Sequence, residues 1–210
     1  MSSDPIATAR RGAGSGIAFV VTGPSGAGKT SVIEEVMKRY PELRLSFSVS
    51  HTTRAIRECE TDGADYVFVS EDEFRALVEK DLFIEHAVYS GFHYGTSEQQ
   101  LKAAFAGGHD VLLNVEVQGA ESIRKRGLGD HPVVLVFLTT STVERLEDRL
   151  RRRGTDTEEK IAERIRMAST ELACLSDFDY LVINDDLEQA VTELQAIILA
   201  EQLRLRTGCA

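Results

Sequence analysis

Hydrophobic and polar positions follow two rhythms along the chain. Ile17–Thr22 (IAFVVT) is an unbroken apolar run ending in a Gly-rich turn, and reads as a strand buried on both faces. From Lys29 to Tyr40 the period changes. Val32, Ile33, Val36, Met37 and Tyr40 share one side of a helix, which Pro41 stops. Further apolar runs at Val111–Val117, Val133–Leu138 and Tyr180–Ile183 follow helical stretches. Strands alternating with helices predict an α/β fold with a central parallel sheet flanked by helices. Between the first helix and Val111 the pattern breaks into short β-rich pieces, Phe47–Val49, Tyr66–Val69 and Phe83–Val88, separated by polar turns. These predict a small insertion with its own sheet, followed by a helix at about Glu98–Ala106. Beyond Leu138 the chain is highly charged. It predicts a helix over Thr142–Arg152 with Thr142 or Ser141 as N-cap, a break at Gly154, a helix over Glu158–Leu175 and a last helix at about Leu187–Leu203.

At 210 residues the chain fits one compact domain, and 42% hydrophobic with 28% charged residues is ordinary for a protein with a core. A net charge of -10 argues against coating nucleic acid or an anionic membrane. An anionic substrate must therefore be met by a local cluster of Arg and Lys. The three cysteines, Cys59, Cys174 and Cys209, are odd in number and widely spaced, so neither a disulfide framework nor a zinc site is indicated. A reduced, cytoplasmic setting follows from that usage. No apolar run approaches the length of a membrane span. Residues 1–16 lack the apolar stretch of a secretory signal and read as a disordered lead-in, with a short organelle-targeting segment as the lesser alternative.

The chemistry begins at Gly23-Pro24-Ser25-Gly26-Ala27-Gly28-Lys29-Thr30, a full match to G-x-x-x-x-G-K-[ST]. Glycines let the backbone curl so that successive N–H groups face a phosphate chain, and the following helix adds its positive end. Lys29 is placed to reach β- and γ-phosphates and Thr30 to ligate Mg²⁺. The motif follows an apolar strand and opens an amphipathic helix, which is the context it needs. It indicates a nucleoside triphosphate and leaves the acceptor open. Ser48-Val49-Ser50-His51-Thr52-Thr53-Arg54-Ala55-Ile56-Arg57 sets two arginines among hydroxyl residues, either a phosphate clamp or an exposed polar loop.

From Ile17 to about Ile198 the chain resembles the guanylate kinase family of P-loop nucleoside monophosphate kinases. The resemblance is carried by GPSGAGKT, SVSHTTRAIR, DGADYVFVSEDEF, FIEHAVYSGFHYGTS, VLLNVEVQGA, RLRRRGTDTEE and VINDDL, in the family's order and spacing. It implies one domain over 17–206: a core of 17–45, 97–138 and 170–206, a GMP-binding lobe of 46–96 and a helical lid of 139–169. It implies Mg²⁺-dependent transfer from ATP to GMP and dGMP. Arg54 and Arg57, with Tyr66 and Tyr94, would grip the GMP phosphate. Glu85 would accept the N1–H and N2–H₂ donors of guanine, and Ser50 and Thr96 would face its O6. Arg149, Arg153 and Arg164 match the lid arginines that neutralise the moving phosphoryl group. Arg151 and Arg152 match less clearly and read as surface.

The pattern departs from the family in VLLNVEVQG, where two alternate strand positions are usually acidic. Here they are Asn114 and Glu116, implying retained but altered activity, with Glu116 still able to meet GMP or a Mg²⁺-bound water. Leu138-Thr139-Thr140-Ser141 replaces a Pro-Pro pair, a matter of loop stiffness. Cys59-Glu60-Thr61 reads as peripheral. An inactive phospho-ligand binding module and a kinase for another phosphorylated acceptor remain as alternatives, and a homo-oligomer is left open. An intact phosphate loop argues against the first and the Glu85 group against the second.

Overall fold

The structure is a computed structural model that describes residues 16–57, 60–154 and 156–206. Apart from Gly16, the N-terminal lead-in lies outside the described residues, as do Cys59 and Cys209. In chain order the elements are β1 (Ala18–Thr22), α1 (Lys29–Arg39), β2 (Leu45–Ser48), β3 (His51–Thr52), β4 (Val67–Phe68), α2 (Glu71–Glu79), β5 (Phe83–Tyr89), β6 (Phe92–Ser97) and α3 (Glu98–Ala106). There follow β7 (Asp110–Asn114), α4 (Val117–Arg126), β8 (Val133–Thr139), α5 (Val143–Arg153), α6 (Glu158–Leu172), β9 (Tyr180–Ile183) and α7 (Leu187–Leu203). The chain divides into two compact units that part within β1, between Val20 and Val21.

One unit holds 21–43 and the chain from Val134 onward. Its strands β8 and β9 run parallel, from Val136 opposite Tyr180 to Thr139 opposite Ile183. Helix α7 buries Ala190, Val191, Leu194 and Ile198 and packs on α1, which buries Val32, Ile33 and Val36. In α1 the predicted face is buried at Val32, Ile33 and Val36 and half-buried at Met37 and Tyr40, while Leu187 at the start of α7 is exposed. Asp186 caps α7 by accepting from the Gln189 amide at 2.9 Å. Thr142 caps α5, as expected from the sequence, and the helix ends at Gly154 in a left-handed conformation (φ 66°). Helix α6 stops at Leu172, earlier than the periodicity suggests, and a short 3₁₀ turn at Leu175–Asp177 follows.

The other unit holds 16–20 and 44–133. There β2 pairs with β7 in parallel, Leu45 opposite Asp110 through Ser48 opposite Leu113, with α3 packed against both strands. The Asp110 carboxylate fixes the chain's entry into β1 by accepting from the Ile17 amide at 2.8 Å. The predicted insertion does carry its own sheet, in the order β4-β3-β6-β5. Strands β5 and β6 form a hairpin whose Ser90-Gly91 turn has positive φ at both residues (49° and 81°), the twist that a two-residue hairpin needs.

Further elements differ from the sequence reading. Strand β7 ends at Asn114, not Val117, and α4 follows at once with Glu116 as its N-cap. Glu116 is thus a helix-capping position and not a strand residue alternating with Asn114. Helix α2 occupies a stretch whose sequence pattern reads as polar turn. Its Ser70 and Glu73 form a capping box, with Glu73 Oε2 accepting from the Ser70 amide at 2.8 Å and the Glu73 amide donating to Ser70 Oγ at 3.2 Å, a cap worth about 1 kcal/mol. Strand β6 was not anticipated either.

Candidate active site

The phosphate loop is built by β1 and α1. Strand β1 is fully buried, so its end is fixed where the chain turns at Gly23. Gly23 has φ 134°, and a Cβ there would lie 2.0 Å from the Leu138 carbonyl oxygen, so only glycine allows this approach. The turn is closed by the Ala27 amide donating to the Pro24 carbonyl at 3.1 Å. Gly28, left-handed at φ 88°, is the N-cap of α1. No side chain caps this helix and no acidic residue stands in its first turn, so its positive end is left to an anion. The Lys29 ammonium folds back on the loop, donating to the Gly23 carbonyl and, at 3.3 Å, to that of Pro24.

Two of the three predicted lid arginines reach this loop. Arg149 donates to the Ala27 carbonyl at 3.1 Å and to the Asn184 carbonyl at 2.6 Å. Arg164 donates to Ser25 Oγ and is held from behind by Asp156, 3.5 Å from its Nε. Arg153, in the last turn of α5, is exposed. Arg151 ties α5 to α6 by pairing with Glu147 at 2.8 Å and Glu158 at 3.0 Å, in keeping with a surface role. The Thr140–Thr142 turn before α5 is stitched by Thr140 Oγ1 donating to the Thr142 carbonyl at 2.8 Å.

Asn184 carries a part that the sequence reading did not assign. It is buried at the end of β9, and its side-chain amide donates to the Ala27 carbonyl at 2.7 Å. A Cβ on Gly28 would stand 2.4 Å from that nitrogen. Gly28 and Asn184 are therefore a matched pair, and the loop is pinned from below. The polar residue closing the apolar run Tyr180–Ile183 was the available signal.

In the other unit the small sheet brings the predicted acceptor residues together. Glu85 on β5 stands directly opposite Thr96 on β6, and Tyr94 is two residues from Thr96 on the same strand face. Thr96 Oγ1 donates to Glu85 Oε1 at 2.5 Å, and Ser50 Oγ lies 3.5 Å from Thr96 Oγ1. Burial, above all, pushes the Glu85 carboxyl up to about 7, and the Glu116 charge adds to the effect, while the Thr96 hydroxyl opposes it. Donors brought to such a carboxyl favour its ionised form. Between Tyr94 and Thr96, Gly95 leaves room on the opposite face for the Phe74 and Phe83 rings, each 3.1 Å from where its Cβ would be.

The phosphate-gripping candidates are also assembled. The Arg54 guanidinium lies 5.5 Å from the centre of the Tyr66 ring and has Tyr94 as a hydrogen-bond partner. Tyr66 and Tyr94 meet edge to face at 5.9 Å. Burial first, then the neighbouring Tyr94 and Glu116, push the Tyr66 hydroxyl up to about 12, so it stays a donor.

Glu60, read from the sequence as peripheral, is not. Its Oε1 pairs with Arg54 at 2.7 Å, each side chain only 10% exposed, and its Oε2 accepts from the Arg57 amide at 2.9 Å. The Arg57 guanidinium lies 3.7 Å from the same carboxylate. Burial works against the Glu60 charge, but the two arginines hold its pKa below the ordinary value. Glu60 thus organises both arginines. Only the three-residue spacing from Arg57 could have revealed it.

A strand, a glycine loop and a helix N-terminus met by arginines, on parallel strands flanked by helices, define an α/β phosphoryl-transfer kinase. Comparison makes this specific. The family model described as "Guanylate kinase" matches residues 16–201, and the chain belongs to that family. It is 43% identical over 190 residues to the guanylate kinase of Escherichia coli K12, covering 90% of each chain. It is 42% identical to that of Salmonella paratyphi A at the same coverage. The crystal structure of guanylate kinase from Anaplasma phagocytophilum matches with a TM-score of 0.75 at 29% identity, covering 91% of this chain and 88% of that one.

Proposed function

We propose that the protein is a guanylate kinase, transferring the γ-phosphoryl of ATP to GMP, and to dGMP, to give ADP and the nucleoside diphosphate. The observation that carries the acceptor is the buried Glu85–Thr96 pair beside the Arg54 and Arg57 clamp, which offers a two-acceptor carboxylate to the two adjacent donors of guanine. Adenine lacks the N1–H and would strand a buried carboxylate oxygen. Ser50 and Thr96 present hydroxyls to O6. Arg54, Arg57, Tyr66 and Tyr94 align the GMP phosphate, whose oxygen is already ionised and attacks in line without a strong general base. Gly23 to Thr30 cradle the ATP phosphates. Lys29, Arg149, Arg153 and Arg164 offset the charge of the moving group. Arg153, exposed in the last turn of α5, takes this role only by swinging in as the lid closes on ATP.

Among the described residues no cluster of His, Cys, Asp or Glu could hold a metal ion. Mg²⁺ bound through ATP oxygens and water needs no such cluster, and the Thr30 hydroxyl at the start of α1 suits that hard cation. When bound with ATP, Mg²⁺ supplies charge neutralisation across the β- and γ-phosphates. Glu116 faces the same acceptor group as Glu85 and Tyr66, both of which feel its charge, and this supports a contact with GMP. No helix among the described residues is long and apolar enough to cross a membrane, and with the acidic balance this supports a cytoplasmic enzyme of small nucleotides.

A coupled ADP-release assay with ATP and Mg²⁺ and a panel of acceptors tests the reading. ADP release with GMP and dGMP, and not with AMP, CMP or UMP, is expected. Release with AMP equal to that with GMP would refute the role of Glu85. Glu60→Ala is expected to raise KM for GMP by about ten- to a hundredfold, because the arginines lose a charge-assisted anchor. KM for ATP should stay within about twofold, because the contacts that Glu60 makes are to Arg54 and Arg57 of the acceptor group. Steady-state kinetics with each substrate varied decides this, and an unchanged KM for GMP would show that Glu60 has no organising role.

A further inference from the structure

Gly119 stands in the first turn of α4 without the left-handed φ that would call for glycine. A glycine inside a helix is ordinarily a loss relative to alanine. Its neighbour supplies the reason for it. A Cβ at this position would lie 2.5 Å from Glu85 Oε2, 3.0 Å from Glu85 Cδ and 3.4 Å from Val115 Cβ. The Glu85 residue is 6% exposed, and its other oxygen accepts one hydrogen bond, from Thr96 Oγ1 at 2.5 Å. The carboxyl is therefore clasped between the Thr96 hydroxyl and the bare Cα of Gly119.

We infer that Gly119 is a positioning residue for base selection: the space left by its missing side chain is the seat of the Glu85 carboxyl, and any side chain there turns that carboxyl off the donors of the acceptor base. The inference rests on the reading of Glu85 as the guanine acceptor. The atoms a new Cβ would strike are the free end of the Glu85 side chain and not backbone. The carboxyl can swing aside, so the fold survives and the cost falls on recognition.

The test compares wild type, Gly119→Ala, Glu85→Gln and the double variant Glu85→Asp/Gly119→Ala with GMP and with IMP, which keeps N1–H and lacks the exocyclic amino group. Gly119→Ala is expected to keep the wild-type thermal midpoint and the KM for ATP. It is expected to raise KM for GMP and to shrink the GMP-to-IMP ratio of kcat/KM, each by about tenfold or more. Aspartate at 85 shortens the arm by one methylene, so the double variant recovers part of the GMP preference lost by Gly119→Ala alone, a coupling that a purely structural defect would not give. A wild type indifferent to GMP against IMP, or a Glu85→Gln variant that changes neither constant, overturns the Glu85 reading and this inference together. A wild-type preference abolished by Glu85→Gln but untouched by Gly119→Ala overturns the inference alone. So does a Gly119→Ala variant that unfolds and is not repaired by Glu85→Asp, since the clash would then be with backbone.

Discussion

Lys29→Met is expected to lower kcat by on the order of 10²–10³-fold while leaving the fold intact. Lys29 is the first residue of α1, and its ammonium rests on the carbonyls of Gly23 and Pro24. Those contacts hold the charge against the glycine loop. On the proposed reading a bound triphosphate would draw the ammonium off the carbonyls, and the interaction would strengthen as charge builds on the γ-phosphoryl oxygens in the transition state. Methionine keeps most of the length and the apolar stem and removes the ammonium, with its charge and its donors. The fold should not notice, because the buried face of α1 is Val32, Ile33 and Val36. Steady-state kinetics at saturating ATP and GMP, with circular dichroism as a control, decides the matter. A variant within about tenfold of wild type would mean that the arginines, and not Lys29, carry the charge compensation.

Glu85→Gln is expected to raise KM for GMP by about a hundredfold or more and to remove a pH dependence that wild type possesses. The amide offers one acceptor and one donor to a base edge that has two donors. A pair of N–H groups then faces one another in a buried site, where neither can find water. The pH dependence follows from the carboxyl's folded pKa of about 7, against an ordinary value of 4.5, with burial as the leading cause. On the proposed reading guanine, with its two donors, takes the ionised carboxylate. The kcat/KM for GMP should therefore rise with pH through about 7 in wild type, and that inflection should vanish in Glu85→Gln. The GMP phosphate has its own second ionisation near about 6, which both enzymes share, so the difference between the two profiles isolates Glu85. Stability moves in the opposite sense. The raised folded pKa means that the native state holds this proton longer than the unfolded chain does. Its contribution is fully present below pH 4.5 and is lost as pH rises through about 7. Over that window the thermal midpoint of wild type should fall relative to that of Glu85→Gln. A wild-type difference profile flat through this window would show that the carboxyl is ionised without GMP.

Legibility in the sequence was uneven, for physical reasons. The phosphate loop could be read because its glycines, Lys29 and Thr30 sit at fixed offsets between a two-faced apolar strand and a helix period. The small sheet was visible only in outline. Strand β6 (FHYGTS) carries His93 and Gly95 and lacks the β-branched alternation of its partner, so its pairing is dictated by β5 and not by its own composition. Helix α2 was hidden because its only fully buried residue is Phe74; its capping box, readable in Ser70 and Glu73, was the signal to follow. The run Val111–Val117 looked like one strand because apolar residues continue past Asn114. The chain leaves the strand there, and Val115 and Val117 are buried as the entry to α4. Long-range pairings were out of reach altogether. Nothing local ties Asn184 to Gly28, or Gly119 to Glu85, because each depends on a contact between distant segments.

Transfer of label from [γ-³²P]ATP, with GMP as sole acceptor and the products separated by chromatography, tests the central claim most directly. Label should leave ATP only when GMP is present and be recovered in GDP, with little released as inorganic phosphate. Label in inorganic phosphate with GDP unlabelled, or ATP left intact in the presence of GMP, would contradict it.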